Sequence, residues 1–264
     1  MSSEQQNRNA ASTLLSSDRA LHDLGDVLFV TRSIPACGYT ARTVTPGPEL
    51  EMVLRFIDYR IEKRGVSRGV KRVFFLEPHL DSGYPDLVVV YLGKQQHQAS
   101  RELLNPQMAK ILTEIERLGH TSIQELEAIL ACNSHTLVRM LSKLDKDGCI
   151  HFFQKSGTIR KAARRNYTRV LSIESFEAKI DKWSVAIDQA EANLRFADRS
   201  YVLMNKSSYT QRMEERCRDR GVDIALMNGS AKLVNVSQAN SAPKTYVAHL
   251  LGAWAEWVVA HADA

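Results

Sequence analysis

Four cysteines are spread over 264 residues, at Cys37, Cys132, Cys149 and Cys217, and none belongs to a Cys-x-x-Cys pair. A structural zinc site draws on clustered ligands, so this spacing speaks against one. Reduced thiols in a cytoplasmic setting are the expectation. No apolar run approaches the ~18 residues that a membrane span needs. The longest central run, Leu87 to Leu92, has the length of a strand. The opening segment MSSEQQNRNAASTLLSSDR lacks the apolar centre of a secretory signal. Residues 1–25 are expected to be a mobile segment, its first 20 or so residues a mobile tail or a loosely held first helix, and no membrane partner is expected. No internal repeat is visible. What remains is a chain with 44% apolar and 25% charged residues, enough to bury a sizeable core in one large or two modest domains.

The net charge is +5, and it is concentrated in one place. Between Ser134 and Arg169 nine basic residues face only Asp145 and Asp147. The same region has its own hydrophobic rhythm. Met108, Ile111, Leu112 and Ile115 mark one amphipathic helix, and Ile123, Leu126, Ile129 and Leu130 a second. Asn133 or Ser134 caps a third, which carries Leu137, Val138, Leu141 and Leu144 and stops at Gly148. CIHFFQ, a Ser156-Gly157 turn and a basic arm then read as a β-hairpin. Three short helices followed by such a hairpin resemble a winged helix-turn-helix DNA-binding domain. The resemblance implies DNA contact from Ser134, His135, Thr136, Arg139 and Lys143 on the third helix. It implies the same for Lys155, Arg160, Lys161, Arg164 and Arg165 on the wing, with the basic cluster serving phosphate.

On either side of this region the pattern is α/β. A strand is expected over Asp26–Thr31, a helix from the Pro46-Gly47-Pro48 break to Gly65, and paired strands at Val73–Leu76 and Leu87–Leu92. After Arg169, strand and helix alternate: Val170–Ile180, Trp183–Phe196, Arg199–Met204, Tyr209–Arg220 and Val222–Met227. A further strand, Ala231–Val236, and a helix over Thr245–His261 follow. The last helix carries an apolar stripe of Val247, Leu250, Leu251, Trp254, Trp257 and Val258. Core packing is its first reading, and a homodimer face its second. Trp183 is expected in the core.

Two fragments carry chemistry: Tyr84-Pro85-Asp86 before a Val-rich strand, and Glu177-Ala178-Lys179 at the end of another. With a Glu-bearing helix upstream and a helix containing Gln189-Ala190 downstream, they resemble the PD-(D/E)xK, or restriction-endonuclease-like, nuclease superfamily. The resemblance covers residues 45–94 and 170–236. It implies an α/β fold: a mixed sheet flanked by helices and interrupted by an inserted winged-helix domain. The expected organisation is a nuclease core over 26–98 and 170–264, with the insert at 99–169. Asp86 and Glu177 lie 91 residues apart. An insert whose ends meet in space accounts for that gap.

The resemblance further implies a magnesium-dependent DNA endonuclease, with manganese as a substitute metal, of the kind used in restriction, phage defence, mobile-element or repair chemistry. Asp86, Glu177 and Glu49 would hold the metal, because magnesium favours carboxylate oxygens. Strand alternation would put Glu177 and Lys179 on one face, and Lys179 would orient water or offset developing charge. Glu49 and Glu51 compete as the upstream acid. Glu49 lies on the apolar side of its helix, whereas Glu51 lines up with Arg55 and Asp58, so Glu49 is favoured. Gln189 would contact phosphate or water. The position four residues after it, a tyrosine in one branch of the superfamily, is Asn193. His79 and Asp81 read first as a solvated turn and second as lining the same cleft, and Glu77 as either a further ligand or a surface carboxylate. The alternative function is a non-catalytic DNA-binding regulator built on a nuclease-like scaffold.

Overall fold

The computed structural model describes residues 10–16, 19–62, 69–81, 83–94, 104–228, 230–237 and 245–262. The chain is α/β. Among the described residues, eight strands form one mixed sheet. They are β1 (Leu21–Asp23), β2 (Val27–Val30), β3 (Lys71–Leu76), β4 (Leu87–Leu92), β8 (Val170–Ala178), β9 (Arg199–Asn205), β10 (Asp223–Asn228) and β11 (Ser230–Val234). Their order across the sheet is β1-β2-β3-β4-β8-β9-β10-β11. Helices flank both faces: α1 (Ala10–Ser16), α2 (Pro48–Glu62), α6 (Trp183–Asn193), α7 (Gln211–Asp219) and α8 (Tyr246–His261).

The central strands are apolar because both faces are covered. In β4, Val88, Val90 and Leu92 pack with Leu250, Leu251, Trp254 and Val258 of α8. Leu87 and Val89 point to the other side, where Met52, Val53, Phe56 and Ile57 of α2 join Phe176 and Ala178 of β8. Phe56 and Phe176 rings stand 4.8 Å apart. Val202, Met204 and Ile224 are covered by Ala186, Ile187 and Ala190 of α6 and Met213 and Cys217 of α7. Of the stripe on α8, Leu250, Leu251, Trp254 and Val258 are buried within the chain, in line with core packing, and Val247 and Trp257 are partly buried. Trp183 is partly buried, with the Arg216 guanidinium 5.9 Å over its ring. The segment expected to be mobile supplies α1 and β1. Ala11 is buried and its N–H donates to Asp58 Oδ1 at 2.8 Å.

Between β4 and β8 the chain builds a second core. Helices α3 (Pro106–Leu118), α4 (Ile123–Leu130) and α5 (Ser134–Lys146) join a small sheet of β5 (His120–Ser122), β6 (Ile150–Phe153) and β7 (Thr158–Lys161), in the order β5-β7-β6. Leu112, Ile115, Leu126, Leu137, Leu141 and Ile159 are fully buried there. Each helix starts on a side-chain cap, at Asn105, Ser122 and Asn133. Gly93 N–H donates to Arg169 O at 2.8 Å, so the two ends of the inserted segment lie side by side. The boundary expected at 98/99 falls outside the described residues.

The insert is docked on the core through α3 and α8. Glu116 of α3 receives the Tyr167 hydroxyl and lies 3.2 Å from His249 Nε2 of α8. Glu256 of α8 accepts from Arg169 N–H at 2.8 Å.

Candidate active site at the end of β8

The register of β4 on β8 sets the site. Leu87 pairs with Phe176, so Asp86, one residue before β4, comes to the end of β8. Its Oδ2 accepts the Ala178 N–H at 2.7 Å. Lys179, one residue beyond β8, brings its Nζ 3.9 Å from that same oxygen and 3.1 Å from Glu49 Oε2. The ammonium also donates to Ala178 O at 2.8 Å. Glu49 sits in the first turn of α2, and its neighbour Glu51 is exposed with no side-chain contact to the site. Of the two competing acids, Glu49 faces the lysine.

Glu177 is buried, and its Oε1 accepts Asn193 Nδ2 at 2.7 Å. Strand alternation would put Glu177 and Lys179 on one face, but their side-chain partners lie on opposite faces. Glu177 takes its hydrogen bond from α6 on one face of the sheet, whereas Lys179 reaches Glu49 of α2 on the other. β8 ends at Ala178, and although the Lys179 N–H still bonds Leu203 O at 3.2 Å, its side chain turns to Glu49.

Burial pushes the Glu177 carboxyl up to about 8, and the nearby Asp86 charge adds to the rise. The Asn193 amide and the Lys179 ammonium oppose it. Asp86 is raised as well, first by burial, while Lys179 and the Ala178 N–H pull the other way. Two carboxyl groups thus share a dry place where neither ionises easily. Among the described residues, no three His, Cys, Asp or Glu side chains group closely enough to hold a metal ion by themselves. Asp86 and Glu177 are two buried carboxyl groups close enough to act on each other.

Gln189 does not join this group. The buried side of α6 runs through Ala186, Ile187, Ala190 and Asn193, and Gln189 is exposed. The residue on α6 that touches the acid is Asn193, whose polar side chain on a buried helical face was the available signal. Glu77, open to two readings, is 6% exposed and stands at φ +43°, and its charge acts on Asp86. Arg42 Nε donates to Glu77 Oε2 at 2.6 Å. Nothing in the sequence around Arg42 marked it. Arg42, Glu49, Glu77 and Asp86 line a cavity of about 80 Å³.

In the insert, Ser134, His135, Arg139 and Lys143 are exposed on α5, and Thr136 is half-buried at its cap. Lys155, Arg160 and Lys161 are exposed on the hairpin. Arg160 lies 5.7 Å over the Phe153 ring. Arg164 is different: it is half-buried, with its Nε enclosed near Glu116. The Arg165 side chain lies outside the described residues. No helix among the described residues is long and apolar enough to cross a membrane. Compared with protein-family models, curated proteins and solved structures, the chain has no match.

Proposed function

We propose that the protein is a metal-dependent DNA endonuclease, with a restriction-endonuclease-like core and an inserted winged helix that holds the DNA. The observation carrying this reading is the meeting of Asp86, Glu177 and Lys179 at one strand end although Asp86 and Glu177 lie 91 positions apart. A helix, three antiparallel strands, a helix and a parallel strand (α2, β3, β4, β8, α6, β9) surround it in the order that the resemblance requires.

Two carboxylates suit magnesium or manganese. Magnesium keeps most of its waters and takes only one or two protein carboxylates, together with substrate phosphate. Glu177, whose carboxyl burial raises to about 8, would give up its proton on binding a cation. The bound cation would supply a water of lowered pKa and offset phosphate charge. Asp86 and Glu177 are the residues that would hold it. Glu49 is engaged by Lys179 and serves to place that ammonium. Lys179 is thereby set beside Asp86, where its charge stabilises the extra negative charge on the phosphate oxygens as the bond breaks. Asn193 fixes the Glu177 carboxyl from behind.

The exposed cations of α5 and the hairpin would hold the duplex by its phosphates. Supercoiled plasmid incubated with magnesium, or with chelator, tests the reading. Nicked or linear product only with the metal is the expected result. Binding without cutting under any divalent metal would instead favour the regulator.

A further inference from the structure

A short stack of planar groups stands beside the acid cluster, outside everything assigned so far. Tyr84, two residues before Asp86, is 41% exposed. The ring of His79 lies parallel to it, 4.7 Å away at 10°, and His79 is itself exposed. On Tyr84 also sits the Arg42 guanidinium, 5.3 Å from the ring centre. Arg42 is half-exposed and also lines the cavity with Asp86 and Glu49.

The stack is built rather than draped. Arg42 N–H donates to Glu77 O at 3.0 Å, and His79 N–H to Thr40 O at 2.9 Å, zipping the two segments together. Leu80 and Gly83 exchange backbone hydrogen bonds of 2.9 Å, which turns the chain so that Tyr84 returns over His79. Glu77 holds the left-handed φ of +43°, a cost for a non-glycine residue, while its N–H bonds Asp86 O at 3.2 Å and its carboxylate fixes Arg42. Arg42 and the strained Glu77 thus line the cavity beside Asp86, and the exposed aromatic pair adjoins it through Arg42.

An exposed aromatic face beside a cation is the arrangement that takes a nucleobase by stacking and the adjoining phosphate by charge. A base inside a paired duplex has both faces covered and cannot reach such a surface. We propose that His79, Tyr84 and Arg42 form a platform for an unpaired base next to the cut phosphate, so that the substrate is DNA with a single-stranded or unpaired nucleotide there. This rests on the nuclease reading of Asp86, Glu177 and Lys179, and it adds a substrate class to it. Tyr84 backs the exposed His79 ring, the pair supplies the stacking surface, and Arg42 the phosphate contact.

The test is fluorescence of an adenine analogue placed in a single-stranded oligonucleotide, titrated with the full-length protein in chelator. The wild type quenches the probe on binding. Tyr84→Ala loses the quench and binds the single strand about 5- to 100-fold more weakly. It binds the fully paired duplex of the same sequence as the wild type does, through the insert. Tyr84→Phe keeps the ring and restores quenching, which a merely structural role for the hydroxyl would not allow. Unchanged single-strand affinity in Tyr84→Ala overturns the platform, as does an equal loss for single strand and duplex. Because these titrations need no cleavage, a protein that quenches but never cuts sinks the nuclease reading alone. One that cuts unpaired DNA while ignoring Tyr84→Ala sinks the platform alone.

Discussion

Glu174 and Glu177 sit three residues apart on β8, and their surroundings are opposite. Glu174 has two donors, both on one carboxylate oxygen. Arg60 Nη2 bonds its Oε2 at 3.0 Å, and the Tyr91 hydroxyl at 2.9 Å. Glu177 has one neutral donor, Asn193, and a second carboxylate nearby. A carboxylate with an arginine beside it stabilises the fold in its charged state. One that is buried beside another acid has its charge opposed by the fold, and such groups mark places where chemistry happens. Within one strand, Glu174 is thus held by paired donors while the charge of Glu177 is opposed by its surroundings.

The largest effect that would sharpen this contrast is expected at Lys179. Lys179→Ala should lower the plasmid-cleavage rate by at least about 100-fold, the scale of losing one aimed charge-stabilising group. DNA affinity measured in chelator should stay near the parental value, since Lys179 lies outside the basic insert. A variant that cuts at the parental rate removes the lysine from the mechanism.

A stability difference should appear next. Glu174→Gln leaves Arg60 buried with half of its pairing gone, and should cost about 2–3 kcal/mol in denaturant unfolding. Arg164→Glu should lower the Tm, because the new carboxylate would face Glu116 in the enclosed junction. Arg160→Glu with Lys161→Glu should leave the Tm alone and weaken duplex binding. It should also flatten the salt dependence of that binding, by about 0.9 log unit for each phosphate no longer neutralised. Were the two sets to behave alike, the junction would not distinguish Arg164 from the hairpin cations.

The smallest effect concerns Asp58, which burial raises to about 6 and whose Oδ1 accepts the Ala11 N–H. A carboxyl raised on folding binds more protons in the native state between its unfolded value of 3.8 and about 6. Its contribution to stability is therefore greatest below that window and is lost as pH rises through it. Asp58→Asn keeps an oxygen for Ala11 and removes the charge. It should match the wild-type Tm at pH 4 and exceed it at pH 8. A lower Tm at pH 8 would contradict this.

Much of the fold was legible because long periodic elements carry their own signal. The strand over Val170–Ile180 and the helix over Trp183–Phe196 match β8 and α6 within a few residues at their ends. Strands β1 and β5, of three residues each, were not legible: they exist only through pairing with β2 and β7. The acid and the lysine were legible as residue types, but their contacts were not. Period two governs a strand only while it lasts, and β8 stops at Ala178. Glu77 precedes Pro78, a position that ordinarily favours extended backbone, so its left-handed turn had no local signature. Asn193 was visible as a polar residue on the apolar face of its helix, and its bond to Glu177 required the packing of α6 on the sheet.

The central claim is best tested by Glu174→Gln and Glu177→Gln side by side, each assayed for plasmid cleavage in magnesium and for thermal unfolding at pH 8. Glu177→Gln should unfold no lower than the wild type, because it removes a charge that burial opposes, and it should not cut. Glu174→Gln should unfold lower and still cut. Cleavage at the parental rate by Glu177→Gln, or a wild type that fails to cut any DNA with any divalent metal, would contradict the account.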